Sequence, residues 1–443
     1  MSWRGNALFW LLLCCGISIL WGYLIQRTSP VGSADFKAIY YGARCLIQHG
    51  DPYKKSDFLR VYQADGEGFP ADSVLDRLFR RAVPICINLP SALLLIAPFT
   101  LLGWGAAHLL WMLMVAASLF LAAFLIWSFA AKYSPTLSLF LVCILLSNCE
   151  TFFSNGNLAG MAVSFCVIAV CCFVQEKFVV AGVLCLAVSL ALKPHDALLV
   201  WLFFLLAGGV YRKRALQTLL MTAVLLLPAM LWVTHVAPQW RTELRSNVAE
   251  TSAHGDLGDP GPTSLSFSKG DMIIDLQSVL SIFRDDPRFY NPASYLVFGA
   301  LLLAWLARTL RVRLAPPQLW FALAAVAALS MLPAYHRLHD AKLLLLAVPA
   351  CAILWAEGGR MKWAALAVTS AGIVLTSDIP STILVIIASS LHLQTAGAYG
   401  KILTVALMRP APLILLIMAV FYLWVYLRRD GDCAHSVSSL KME

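Results

Sequence analysis

The sequence predicts an all-α, multi-pass membrane protein with about twelve transmembrane helices and with interfacial helices in its first outer loop. Of the 443 residues, 60% are hydrophobic and 13% are charged. A soluble domain usually carries about twice that charged fraction. Apolar runs of about 20 residues, the length needed to cross a bilayer core, recur along the chain. These observations exclude an ordinary soluble enzyme or binding domain.

Short basic loops predict how the chain is threaded through the membrane. Lys and Arg are enriched in cytoplasmic loops, so we place the most basic loops in the cytoplasm. These loops are residues 212–214, 308–313, 360–362 and 428–429. The formal net charge of +9 resides largely in such loops. The positive charge is therefore explained by its role in orienting the protein in the membrane, and nucleic acid is not expected as a partner.

About twelve spans follow from this placement, with both termini in the cytoplasm. The first apolar run has no small-residue cleavage site at its end and is expected to be retained. Two short proline-containing stretches, 88–102 and 380–391, are expected not to cross, because counting either would break the charge parity. The spans cover residues 7–26, 105–131, 134–152, 157–175, 178–193, 195–210, 215–236, 293–307, 315–333, 340–356, 361–377 and 411–427.

The same topology brings the unusual polar residues to the extracytoplasmic face. They are Asp35, Glu150, Ser154–Asn157, Lys193–Asp196 and Tyr335–Asp340. The two long loops, 27–104 and 237–292, face the same side. A catalytic or binding centre outside the cytoplasm is therefore expected.

The segment SADFKAIYYGARCLIQHGDPY, residues 33–53, follows the first span directly. Its apolar residues recur at helical spacing and predict an amphipathic helix in the membrane interface. Gly50 is the expected residue just past this helix, before an Asp-Pro turn. Asp35, at the helix start, is either an N-terminal cap or a catalytic carboxylate. The apolar positions are Phe36, Ile39, Tyr40, Ala43, Leu46 and Ile47.

Two later clusters carry ionisable residues that are costly at membrane depth. Lys193 and Asp196 flank Pro194 and are either functional or a simple interfacial ion pair. The YHRLHD segment, residues 335–340, offers two imidazoles and one guanidinium, donors that suit a phosphate oxygen. An interfacial anchor and a metal site are its alternatives. Zinc is not expected, because the 12 cysteines include no C-x-x-C pair and no tighter ligand set is evident.

The chemistry predicted from these features needs few groups. The sequence has no nucleotide-binding motif and no soluble catalytic domain. A membrane enzyme of this kind takes a substrate that arrives in the lipid, such as a sugar linked to a lipid phosphate. A carboxylate deprotonates the acceptor hydroxyl, and cationic donors stabilise the departing phosphate. Attack from the opposite face inverts the anomeric centre, as in inverting glycosidases.

Several segments together resemble glycosyltransferase family 87, which comprises polyprenyl-phosphate-mannose-dependent mannosyltransferases of the GT-C fold. SADFKAIYYGARCLIQHGDPY is similar to the family signature after the first span. NLPSALLLIAPFTLLGWGAAHLLW resembles the Pro-rich interfacial helix and second span, and SNGNLAGMAVSF the Gly-Gln-x-Asn segment. LALKPHDALLV carries the family's Lys-Pro pair, and YHRLHDAKLLLLAVP resembles its late His/Asp motif.

The resemblance implies a GT-C fold with Asp35 as the general base. Lys193, His336, Arg337 and His339 would bind the donor phosphate. Substrate contacts are assigned to Tyr40, Tyr41, Asn155, Asn157, His195 and Asp340. The implied donor is a polyprenyl monophosphate mannose, used with a lipid or glycan acceptor on the outer face of a bacterial plasma membrane. No cofactor and no metal are expected.

Some positions depart from the family pattern. The family's Gln is Asn157 here, and the following Asn position is Ala159. The expected organisation is a GT-C catalytic transmembrane module at 1–236, an extracytoplasmic loop at 237–292, and a C-terminal bundle with a short cytoplasmic tail at 293–443. Cys45 and Cys86 share the first long loop and are either free thiols or a disulfide.

Two other function classes compete with a glycosyltransferase. A transporter, or a flippase for lipid-linked sugars, would place ionisable residues near the midplane on broken helices in repeated halves. A polysaccharide polymerase or ligase would need a different set of outer-loop residues. The gathering of polar residues at one face and the helix directly after the first span favour the transferase.

Overall fold

The computed structural model describes residues 3–29, 32–65, 83–264, 273–312, 316–390 and 397–429. Within these ranges the chain forms helices and no strand, with an isolated bridge between Ile273 and Arg337. The predicted all-α class is confirmed for this part of the chain. Some of the topology predictions concern residues outside the described ranges. These residues are Arg313, residues 66–82 and 265–272 of the long loops, and the tail from residue 430.

Most of the helices follow one another with short connections. The first group is α1 (Trp3–Thr28), α2 (Ala34–Ile47), α3 (Lys55–Ala64), α4 (Pro90–Ile96), α5 (Trp104–Ala130), α6 (Pro135–Leu146), α7 (Glu150–Ser154), α8 (Ala159–Gln175), α9 (Val179–Leu192), α10 (Pro194–Ala207) and α11 (Gly209–Val236). The second group is α12 (Trp240–Thr251), α13 (Leu276–Phe283), α14 (Pro287–Arg311), α15 (Pro316–Leu329), α16 (Val348–Glu357), α17 (Met361–Leu375), α18 (Asp378–Ser390), α19 (Gly397–Met408) and α20 (Pro410–Arg428). Two 3₁₀ segments, Ala97–Leu101 and Asp340–Ala347, complete the helical elements in these ranges. The two long loops separate α3 from α4 and α12 from α13.

The long apolar helices make this a membrane protein. Among the described residues, 6 helices are long and apolar enough to cross a bilayer, or up to 7 if a bent pair is one span. The bent pair is α17 with the first part of α18, at 74°. The six are α1, α5, the run Pro135–Ser154, α11, α14 and α20.

The other expected crossings are shorter, so helix length does not establish a count of twelve. α9, α10 and α15 have 14 residues each. At 1.5 Å per residue such a helix is about 21 Å long, less than the roughly 30 Å of a bilayer core. Helices that stop at this depth require neighbours that satisfy their exposed backbone groups. Polar side chains are therefore expected at the ends of these short helices.

The helix predicted after the first span is α2. All its predicted apolar positions except Ile47 are fully buried. Burial extends to Tyr41 and Cys45, because α3, α4 and the first 3₁₀ segment enclose the helix on more than one face. The left-handed residue past the helix is His49, with φ of 59°, and not Gly50 as the sequence predicts. The Gly50 N–H instead closes the end by donating to the Cys45 carbonyl at 2.9 Å.

The two stretches expected not to cross are short in the structure. Residues 88–102 hold α4 and a 3₁₀ turn, which Pro90 opens. The described part of 380–391 belongs to α18, the second arm of the bent pair. Cys45 and Cys86 are both buried free thiols.

Candidate functional site

Four segments that are distant in sequence bring polar side chains together. They are the start of α2, the turn between α7 and α8, the junction of α9 with α10, and the loop before the second 3₁₀ segment. We call their side chains the polar cluster: Asp35, Asn157, Lys193, His195, Asp196, His336, Arg337, His339 and Asp340.

Asp35 lies in the first turn of α2, one residue inside the helix, and not at its cap position, which is Ser33. The backbone N–H groups of Asp35 and Phe36 donate to the Asn155 carbonyl at 3.1 and 3.2 Å. The turn before α8 therefore satisfies the N-terminal amides that a side-chain cap would otherwise serve. No side chain caps α2. This geometry disfavours the cap interpretation and leaves the Asp35 carboxylate available for another role.

Asn157 holds the Asp35 carboxylate. Its side-chain N–H donates to Asp35 Oδ2 at 2.6 Å. Its side-chain oxygen accepts the Ala159 backbone N–H at 2.8 Å, at the start of α8. Because the oxygen is engaged by the helix, the nitrogen is the end that faces Asp35. An amide at position 157 thus joins the start of α8 to the carboxylate on α2.

The turn that carries Asn157 approaches α2 so closely that residue 156 must be glycine. Gly156 has φ of 64°, and a Cβ there would lie 2.7 Å from the Phe36 Cβ. The Trp111 indole N–H donates to the Gly156 carbonyl at 3.0 Å. The same indole stacks on Phe36 with ring centroids 5.2 Å apart. Packing against α2 and α5 therefore fixes the position of the Asp35–Asn157 contact.

The environment of Asp35 suits a group that accepts a proton. Burial raises the pKa of Asp35 above its ordinary value. The hydrogen bond from Asn157 and the charges of Arg337 and Lys193 oppose that rise in pKa, and the charge of Asp340 adds to it. A carboxylate with a raised pKa is a stronger base than a solvated aspartate. The side chain is only half-buried, so a ligand has access to it.

Lys193 lies at the junction of two short apolar helices. α9 ends at Leu192, and α10 begins at Pro194, whose missing N–H fits a first helical turn. The Lys193 ammonium forms a hydrogen-bonded ion pair with Asp340 Oδ1. It also lies 3.7 Å from Asp196 Oδ2. One ammonium therefore faces two buried carboxylates.

Asp340 organises the loop that precedes it. Its Oδ2 accepts the Arg337 backbone N–H at 2.9 Å, while Oδ1 faces Lys193. The Arg337 guanidinium donates to the Tyr335 hydroxyl at 2.6 Å and to the Leu257 carbonyl at 3.1 Å. These bonds tie the loop to α9–α10 on one side and to the second long loop on the other.

The two histidines of the YHRLHD segment are buried and uncharged. Burial lowers the pKa of His339 to about 3, although the neighbouring Asp340 opposes the decrease. Burial also lowers the pKa of His336. His339 Nε2 lies 3.4 Å from Asp340 Oδ1, the oxygen that Lys193 contacts. Positive charge in the polar cluster therefore comes from Lys193 and Arg337, and the imidazoles act as neutral groups near neutral pH.

The sequence analysis singled out Asp196 as functional or as part of an interfacial ion pair, but assigned it no contact in the site. The side chain is fully buried on α10, and its Oδ1 lies 3.7 Å from His195 Nε2 and from His336 Nε2. The signal was present, since an ionisable residue in a nearly continuous apolar run marks function by default. Its partner His336 is far away in sequence, so the grouping required the fold.

The structure does not bring every predicted contact residue into the polar cluster. Tyr40 donates from its hydroxyl to the Leu102 carbonyl at 2.8 Å. The rings of Tyr40 and Tyr41 pack on Trp104, with centroids 5.3 and 5.9 Å away. Asn155 contributes its backbone carbonyl to the start of α2. A substrate contact for these three residues stays a prediction.

A comparison with protein-family models finds one match. The model for glycosyltransferase family 87 matches residues 87–334, more than half of the 443-residue chain. The matched range contains Asn157, Lys193 and Asp196, and it ends just before Tyr335. Asp35 lies outside it. No curated protein and no solved structure matches the chain.

Proposed function

The chain belongs to glycosyltransferase family 87 and is a membrane glycosyltransferase, and from that premise we propose its donor and mechanism. The donor is a hexose, with mannose as the first choice, linked to a polyprenyl monophosphate. The acceptor is a lipid or glycan hydroxyl at the extracytoplasmic face. Asp35 is the general base, and the reaction inverts the anomeric centre.

The observation that carries this proposal is the pairing of a poised base with fixed positive charge. Asp35 is half-buried with a raised pKa, and the charges of Arg337 and Lys193 act on it. Asp340 holds the Lys193 ammonium and the Arg337 backbone amide, and the Arg337 guanidinium is fixed by Tyr335 and Leu257. Preorganised donors of this kind stabilise charge that develops during reaction.

The proposed reaction is a single displacement. The acceptor oxygen attacks the anomeric carbon while its proton passes to the Asp35 carboxylate. The bond between the anomeric carbon and the phosphate oxygen breaks, and the electron pair leaves with the polyprenyl phosphate. Lys193 and Arg337 stabilise that phosphate through charge-assisted hydrogen bonds. The departing phosphate carries the negative charge, so no nucleotide is needed.

Donor use is tested with purified protein in lipid nanodiscs. Polyprenyl-phosphate mannose and glucose, each radiolabelled, are offered with a lipid extract, alongside the corresponding nucleotide sugars. We expect label from a polyprenyl-phosphate sugar to enter a new lipid or glycan product. Transfer from a nucleotide sugar alone, with the polyprenyl donors inert, would overturn the proposed donor class.

The proposed side of the membrane predicts a labelling pattern. Ala253 lies at an exposed position in the second long loop, and Lys213 at an exposed position in the basic first turns of α11; each is replaced by Cys. In intact cells, and in a background without other reactive thiols, a membrane-impermeant maleimide is expected to label position 253 and not position 213. After lysis both should react. The reverse pattern in intact cells would place the long loops in the cytoplasm.

A further inference from the structure

We propose that His195, Asp196 and His336 form a binding site for one divalent transition-metal ion of the Zn²⁺ type. The site takes two residues from the start of α10 and one from the loop before the second 3₁₀ segment. One ligand atom from each residue lies within 4.8 Å of the others. Two imidazoles and a carboxylate with an open fourth position are a typical set for catalytic zinc.

The distances between the three ligand atoms are too long for hydrogen bonds but close to those between two ligands of one metal ion. Both imidazole Nε2 atoms lie 3.7 Å from Asp196 Oδ1, which is too long for a hydrogen bond. Ligands held about 2.0–2.2 Å from a tetrahedral ion lie about 3.4 Å from one another. Shifts of about 1 Å or less therefore bring the three atoms to coordination distance.

The tautomer of His336 also favours a metal ion at its Nε2 atom. Its Nδ1 lies 2.7 Å from the Ala334 carbonyl, an acceptor that requires an N–H on Nδ1. In the neutral ring, Nε2 then carries a lone pair, and that lone pair faces a carboxylate oxygen. Two such acceptors repel each other unless a proton or a metal ion lies between them, and 3.7 Å is too long for a shared proton. A second ring nitrogen bonded to a backbone carbonyl is also the usual support of a metal-ligating histidine.

Buried polar atoms without hydrogen bonds also support a metal ion at this site. His195 Nε2, His336 Nε2 and both Asp196 carboxylate oxygens are buried and form no hydrogen bond to any described residue. A buried polar atom without such a bond destabilises the fold, and a charged one does so more strongly. One ion coordinated by these residues compensates all three side chains at once.

The charge of the surroundings favours a cation as well. Lys193 hydrogen bonds to Asp340 and only approaches Asp196, so one ammonium serves two carboxylates. Without a metal, these three side chains carry a net negative charge. A divalent ion at Asp196 makes the net charge of the site positive. Its open position would then accept an anion, and the side chain of His195 is 39% exposed, which gives a route in from outside. That the anion is the donor phosphate rests on the proposed function.

The test measures metal directly and needs no sugar transfer. The full-length protein is purified in detergent with an affinity tag that lacks histidine, and its metal content is determined by mass spectrometry. We expect about one tightly bound Zn²⁺ per chain. After chelation, added Co²⁺ should give a visible absorption band typical of tetrahedral nitrogen and oxygen ligands.

Three variants make the test specific. Asp196→Asn and His336→Ala are expected to weaken metal binding by more than the 10–100-fold that loss of an outer partner usually costs. His235→Ala, at an exposed position on α11, is the matched control and should bind as the wild type does. Melting curves identify any variant that fails to fold, and for such a variant His195→Ala is used instead.

The outcomes separate this inference from the proposed function. No metal in the wild type after Zn²⁺ addition, or equal binding in Asp196→Asn, overturns the metal site even if transfer persists. Equal affinity for inorganic phosphate before and after chelation would overturn only the anion-binding role of the metal and would leave phosphate binding to Lys193 and Arg337. Metal bound in the wild type but without transfer from polyprenyl donors would overturn the donor assignment alone.

Discussion

Asp35→Asn protein is expected to transfer sugar at roughly one hundredth to one ten-thousandth of the wild-type rate, the usual loss when a positioned general base is removed. Its melting temperature is expected to equal or exceed that of the wild type. Asparagine has the same shape and keeps an oxygen that accepts the N–H of Asn157, but it takes no proton.

The stability expectation follows from the pKa of Asp35. Burial raises that pKa in the folded protein above its unfolded value. The carboxyl group therefore contributes stability that is complete below the unfolded pKa and is lost as the pH rises through the folded pKa. Above the folded pKa the wild type has lost this contribution, whereas an asparagine carries no such cost. A variant that is inactive but not destabilised is expected when a residue serves chemistry and not folding.

The control for Asp35→Asn is Asp65→Asn. Asp65 lies just past the end of α3 and forms an ion pair with Arg44 of α2, with its Oδ2 at 2.6 Å from the guanidinium. It shares no contact with the polar cluster, so its loss should leave the rate within about twofold, as expected for a partly exposed pair. Near-wild-type transfer by folded Asp35→Asn would show that another group is the base.

The sequence predicted the elements of the site better than their connections. Helical periodicity located α2, and the cost of an ionisable residue in an apolar run singled out Lys193. The ion pair of Lys193 with Asp340 joins residues 147 positions apart. A one-dimensional pattern contains nothing that selects Asp340 over Asp196, which is closer in sequence. That choice depends on how α9 and α10 pack against the loop before Asp340.

The number of spans was harder to predict, for a related reason. Charge parity counts crossings from the loops, but it does not say how far each helix extends. α9 ends before Lys193 and α10 begins after it, because Pro194 starts a new helix there. Neighbouring helices then satisfy the interrupted backbone, which only the tertiary structure reveals. The role of Asn157 was beyond prediction for a similar reason, since its two amide ends contact different helices.

Lys193→Met is expected to lower both stability and transfer. Methionine preserves the length of the side chain, but Asp340 and Asp196 then lose the ammonium that faces them. Breaking one partner of a buried pair costs about 3–5 kcal/mol, because the remaining charge stays buried. A fall in activity from this variant alone would not show whether Lys193 binds the donor or only holds the fold.

The double variant Lys193→Met with Asp340→Asn separates these two roles. Asparagine keeps an oxygen for the Arg337 backbone N–H but removes the charge that Lys193 neutralises. The double variant should therefore recover much of the stability lost in Lys193→Met, and melting curves of all four proteins give the coupling between the two residues. Transfer should stay low, with the KM for the polyprenyl donor raised and the KM for the acceptor unchanged. Recovery of donor KM along with stability would show that Lys193 only balances Asp340, and that the phosphate is bound by Arg337 or by groups outside this pair.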